Sequence, residues 1–121
     1  MNNPTILVVD DTAAILTLIK LYLEGAGFSV ITAEDGLQGW AMYTRHTSVI
    51  KLLLADVDTP NIAAAEMVDR VERDNPDLPV LYMSGNARFG ERDPSCLFKP
   101  FRRAELLASV RMALEPRSAL K

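Results

Sequence analysis

A chain of 121 residues, 49% hydrophobic and 24% charged, has the size and make-up of one globular domain and not of a disordered or fibrous protein. Thirteen Lys and Arg against sixteen Asp and Glu give a net charge of -3, which leaves no basic stripe to neutralise nucleic-acid phosphates, and Cys96, the single cysteine, excludes an internal disulfide and a cysteine zinc cluster. Met1-Asn2-Asn3-Pro4 lacks a secretory pattern, and no apolar run reaches the roughly 20 residues of a membrane span, so the expected location is the cytoplasm with no membrane partner.

The first predicted element is a strand, Thr5–Val9, partly β-branched, apolar after Thr5 and therefore buried on both faces. Helical spacing follows over Ala13–Glu24, with Gly25 and Gly27 as stop signals. The pattern then repeats: strand Phe28–Thr32, helix Gly36–Arg45, strand Ile50–Ala55, helix Ile62–Asp74 closed by Asn75-Pro76, and strand Pro79–Met83. A last strand, Cys96–Phe98, and a last helix, Arg102–Glu115, complete it, and only Arg117–Lys121 reads as a loose tail. Alternating strands and helices with short connections predict one domain, core about 4–115, as an open, doubly wound α/β fold with a parallel sheet.

In such a sheet ligands gather outside the carboxyl ends of the strands, so the residues just beyond each strand are the candidates. These are Asp10 and Asp11 after the first, Asp56 after the third, Ser84 after the fourth and Lys99 after the fifth. Three carboxylates brought together repel one another unless a hard divalent cation with oxygen ligands intervenes, and Mg2+ is the natural candidate. With a metal and a lysine to neutralise charge, Asp56 can act as a nucleophile toward phosphorus, with Lys99 and the Ser84 hydroxyl reaching the phosphoryl oxygens. The bland alternatives are that Asp10-Asp11 merely starts a helix, with Asp11 or Thr12 as its cap, and that Lys99-Pro100 is an ordinary turn. His46 reads as a surface residue at a helix end, and Cys96 as a small buried hydrophobe.

The runs Val8-Val9-Asp10-Asp11, Leu52-Leu53-Leu54-Ala55-Asp56, Asp56 through Pro60, Met83-Ser84 and Leu97-Phe98-Lys99-Pro100-Phe101 together resemble bacterial response-regulator receiver domains over nearly the whole chain. The resemblance implies a flavodoxin-like, five-stranded sheet in the order 2-1-3-4-5 and phosphorylation of Asp56 by a histidine kinase or phosphotransfer protein in two-component signalling. It also implies metal binding by Asp10, Asp11, Asp56 and the Asp58 backbone carbonyl and a switch region of Ser84, Cys96 and Pro100; the family usually holds the bond at Lys99-Pro100 cis, and the sequence leaves the isomer here open. Kinase docking on the first helix and a possible homodimer are further implications.

Two departures stand out. The connection from Ser84 to Lys99 is short, so the helix before the fifth strand is expected to be shortened or missing. Cys96 stands three before the lysine, where the family carries a switching Tyr or Phe. Ala64 and Thr59 replace a common glycine and methionine, and the Asp58 side chain adds a carboxylate at the mouth of the site. No enzymatic turnover is expected beyond self-catalysed phosphoryl acceptance and autodephosphorylation. The alternative is an atypical receiver acting as a phosphate-independent protein-binding module. A haloacid-dehalogenase-type phosphatase fits poorly, because Pro60 stands where that family needs threonine.

Overall fold

The computed structural model describes residues 3–56, 62–85 and 96–115. Five strands form one sheet: β1 (Thr5–Val9), β2 (Ser29–Ala33), β3 (Ile50–Asp56), β4 (Val80–Ser84) and β5 (Cys96–Phe98). The order is β2-β1-β3-β4-β5, with every neighbouring pair parallel. Four helices lie among the described residues: α1 (Ala13–Gly25), α2 (Gly36–Arg45), α3 (Ile62–Asp74) and α4 (Arg103–Leu114). This is the expected doubly wound, flavodoxin-like fold. The helix expected to be short or missing before β5 would fall on residues 86–95, outside the described residues.

Because side chains alternate along a strand, the apolar runs of β1 and β3 feed two cores at once. Ile6, Val8, Leu52 and Leu54 pack with Leu16, Ile19 and Leu23 of α1 and Leu106 and Val110 of α4. Leu7, Val9, Leu53 and Ala55 pack on the other face with Tyr43 of α2 and Met67 and Val71 of α3. Each fully buried Leu or Ile contributes about 1.5–3 kcal/mol. Among the described residues no helix is long and apolar enough to cross a membrane.

Element ends differ from the sequence reading by a residue or two, for definable reasons. Gly25 continues α1 and Gly27, at φ +98°, ends it. The Gly27 N–H donates to the Glu24 carbonyl (3.1 Å) and the Phe28 N–H to the Leu23 carbonyl (3.0 Å), a Schellman motif that takes Phe28 out of β2. Pro79 has no N–H to give a strand, yet its carbonyl accepts from Leu53 (3.1 Å), so β4 starts at Val80. Arg102 lies outside α4, where its N–H donates to the Glu105 carboxylate (2.9 Å).

Helices α2 and α3 are fastened by polar contacts as well as by burial. A Cβ added at Gly39 would meet Met67 Cε at 3.0 Å and Val9 Cγ2 at 3.1 Å, so this helix lies close to its neighbours only because that side chain is missing. Trp40 stacks on Tyr43 with ring centroids 5.5 Å apart, and the Arg70 guanidinium sits 5.2 Å over the Trp40 ring. The buried Tyr43 hydroxyl donates to the Asp74 carboxylate at 2.6 Å. Burial first, and then the bond to Asp74 and its charge, push the Tyr43 phenol from 10.0 up to about 12. Stability from this group is complete below pH 10 and drains away as pH rises through about 12. Tyr43→Phe is expected to cost about 1.5–3 kcal/mol in urea unfolding at neutral pH. It should also remove from the ultraviolet absorbance titration a tyrosinate component that appears only near pH 12.

Candidate functional site

The carboxyl ends of β1, β3, β4 and β5 face the same end of the sheet, and each delivers a polar residue there. Asp10 follows β1 directly and is 1% exposed. Its N–H donates to the Ala33 carbonyl (3.1 Å), continuing the β1–β2 ladder one residue past the strand and fixing where its side chain starts. Asp56 ends β3 and Ser84 ends β4, both buried. Lys99 follows β5, and its N–H donates to the Ser84 carbonyl at 2.7 Å. The Lys99-Pro100 bond is cis.

Four of the expected side chains converge. Lys99 Nζ lies 2.7 Å from Asp10 Oδ2 and 3.5 Å from Asp56 Oδ2. The other Asp10 oxygen, Oδ1, accepts the Thr12 N–H at 2.9 Å. Asp10, Asp11 and Asp56 each place a carboxylate oxygen within 4.8 Å of the others, with Asp11 on the exposed side. Burial by itself would push the Lys99 ammonium down. The hydrogen bond and charge of Asp10, followed by those of Asp56, outweigh it, and the net shift is upward.

Charge counting shows what the arrangement lacks. Among the described residues, three carboxylates meet one ammonium, an excess of two formal negative charges. Two unit charges about 5 Å apart repel by roughly 3 kcal/mol at an effective dielectric near 20. A hard divalent cation removes that repulsion, and an all-oxygen donor set with one exposed member suits an ion that keeps some of its water. The same surroundings favour placing further oxyanions beside the cation and the lysine.

The remaining expected residues are placed as follows. The Asp58 carbonyl lies outside the described residues. Cys96 is half-buried and not a core residue, because β5 is a three-residue strand that, among the described residues, pairs on one side, with β4; in register it faces Tyr82. Pro100 is exposed. His46 caps the end of α2, its N–H bonded to the Met42 (3.0 Å) and Tyr43 (3.2 Å) carbonyls.

The sequence reading missed Thr12 as a contact of the acidic residues. It is the N-cap of α1, as one alternative expected, yet its side chain makes no capping bond. Its carbonyl accepts from the Ile15 and Leu16 N–H groups, both at 3.1 Å, as the first backbone bonds of the helix. The only available signal was a hydroxyl residue next to two aspartates at a strand end, and capping explained it just as well.

Residues 6–111 match the family described as "Response regulator receiver domain". Among relatives, the chain is 32% identical over 120 residues to the DNA-binding dual master transcriptional regulator RpaA of Synechocystis sp., covering 92% of this chain and 49% of that protein. It is also 32% identical over 103 residues to the sensor protein EvgS of Escherichia coli O157:H7, covering 79% of this chain and 8% of that protein. The chain thus spans less than half the length of these relatives. A response regulator receiver domain protein from Clostridium thermocellum superposes with a TM-score of 0.82 at 23% identity, covering 97% of this chain and 98% of that one, which shows the shared fold.

Proposed function

Since the chain belongs to the response-regulator receiver family, we propose that it accepts a phosphoryl group on Asp56 from a phosphohistidine on a histidine kinase or phosphotransfer protein, with Mg2+ as cofactor. The observation that carries this reading is the convergence of Asp10, Asp11 and Asp56 with Lys99, whose Nζ is 2.7 Å from Asp10 and 3.5 Å from Asp56. Asp10, Asp11 and Asp56 would hold the ion, with the Asp58 carbonyl as a further ligand. When bound, it neutralises the carboxylates and the charge on the transferring group.

The chain's own residues carry the rest. One Asp56 oxygen forms a bond to phosphorus as the donor's phosphorus–nitrogen bond breaks, and the leaving imidazole takes a proton in its own protein. Lys99 already lies beside Asp56, and it supplies a point charge to the phosphoryl oxygens with no long side-chain search. The backbone bond from Lys99 to Ser84 couples the ends of β4 and β5, so the Ser84 hydroxyl and the ammonium act on the same phosphoryl group. Acceptance is stoichiometric, one phosphoryl group per chain, with no sustained turnover of an external ester.

Intact-mass analysis after incubation with acetyl phosphate tests this. One acid-stable, base-labile adduct is expected with Mg2+ and none with a chelator present. Absence of the adduct from a folded chain that binds Mg2+ would exclude self-catalysed acceptance. It would favour a binding module that phosphate does not switch, a reading that Cys96, in place of an aromatic residue on β5, also supports.

A further inference from the structure

Thr12 touches both carboxylates that β1 delivers. Its N–H donates to Asp10 Oδ1 at 2.9 Å, and its hydroxyl donates to Asp11 Oδ1 at 3.4 Å. An N-cap threonine ordinarily turns its side-chain oxygen onto an N–H of the first helical turn, but here that bond is absent. The Thr12 carbonyl accepts the first bonds of α1 as any N-cap carbonyl does, while its hydroxyl lies on Asp11 and not on an N–H of the first turn. We infer that Thr12 is a positioning residue for divalent-cation binding, holding the exposed Asp11 carboxylate in the orientation the ion requires.

The physical case lies in the contrast between the three carboxylates. Asp10 is fixed by Lys99 and by the Thr12 N–H, and Asp56 is buried at the end of β3 and flanked by Lys99. Asp11 is exposed, and ordering an exposed side chain on an ion costs conformational entropy. A hydroxyl partner that selects one Asp11 rotamer beforehand lowers that cost. Threonine suits the task because its branched Cβ limits χ1, so the hydroxyl is itself pre-set. Partners of this kind, one bond removed from the metal, commonly change affinity 10- to 100-fold. The 3.4 Å contact here is long and exposed, so an effect of about 3- to 10-fold is expected.

This inference rests on the reading that Asp10, Asp11 and Asp56 bind a divalent cation. The test is calorimetric titration of the full chain with Mg2+, alongside thermal melting without metal. Thr12→Val keeps the shape, the branching and the N–H to Asp10 and removes only the hydroxyl. It should weaken Mg2+ binding about 3- to 10-fold while leaving the metal-free Tm close to that of the native chain. Thr12→Ser should restore most of the affinity, and in an Asp11→Asn background Thr12→Val should have no further effect. Unchanged Mg2+ affinity together with a Tm lowered by several degrees would mean that the hydroxyl is an ordinary helix cap, and would overturn the inference. If the native chain itself took up no Mg2+, the cation-site reading would fall and the role of Thr12 with it.

Discussion

Asp56→Asn is expected to abolish the phosphoryl adduct formed with acetyl phosphate and Mg2+ and, at the same time, to make the metal-free chain more stable. An amide oxygen is too weak a nucleophile toward phosphorus to replace the carboxylate, so the loss of labelling should be complete. The stability gain comes from the charge balance of the site. Among the described residues, Asp56 has an ammonium at 3.5 Å and two carboxylates nearby, and it is almost fully removed from water. Removing its charge leaves Lys99 paired with Asp10 at 2.7 Å and eliminates two repulsions. A gain of about 1 kcal/mol in urea unfolding without metal is expected, and it should shrink as Mg2+ is added to both proteins. An adduct that persists in Asp56→Asn would place the acceptor elsewhere.

Lys99→Met should act in the opposite direction. Asp10 is 1% exposed, and among the described residues its carboxylate is paired with one cationic side chain, Lys99, along with the Thr12 N–H. Removing that cation strands a buried charge, a change that costs about 3–5 kcal/mol when the pair is fully buried. Lys99 keeps 19% of its side-chain surface exposed, so the lower end, about 3 kcal/mol, is expected without metal. Saturating Mg2+ should recover most of the loss, because the ion supplies the missing positive charge. It should not recover the rate of phosphoryl acceptance, which should fall at least 10²-fold for want of a donor to the phosphoryl oxygens. Unfolding curves and labelling rates, each measured with and without Mg2+, separate these two roles. A variant that unfolds like the native chain in the absence of metal would show that Lys99 is not what holds Asp10 in its buried position.

The sequence disclosed the sheet and the acidic site for one shared reason. The strands β1 and β3 are buried on both faces and therefore almost purely apolar, so a polar residue at their ends stands out: Asp10 after Val9, Asp56 after Ala55. The α1 stop was legible as a glycine, though not which one, because only the backbone shows that Gly27 takes the positive φ while Gly25 remains helical. Strand order did not come from periodicity; it was implied by resemblance, since alternation does not say which strands are neighbours. The bond from Tyr43 to Asp74 was invisible because it joins side chains 31 positions apart on different helices. Cys96 was misplaced toward the core because an edge strand and a central strand have the same apolar composition when the strand is three residues long. Thr12 was hidden by its position: a threonine before a helix is explained by capping before any other role is considered.

The uniformly parallel pairing of the sheet also bears on how the chain reaches this structure. A parallel neighbour can be reached only through a crossover, so no two strands of the sheet are joined as a hairpin from which pairing could begin locally. The central pairing sets Thr5 beside Ile50, and it closes a loop containing two helices and a strand before any of its ladder forms. That closure also carries Asp10 and Asp56 to the same end of the sheet, so the chain meets its largest entropic cost and its sharpest electrostatic repulsion in one event. Pairing of β1 with β3 therefore gathers the acidic residues of the site, and Lys99 joins them only when β5 pairs with β4.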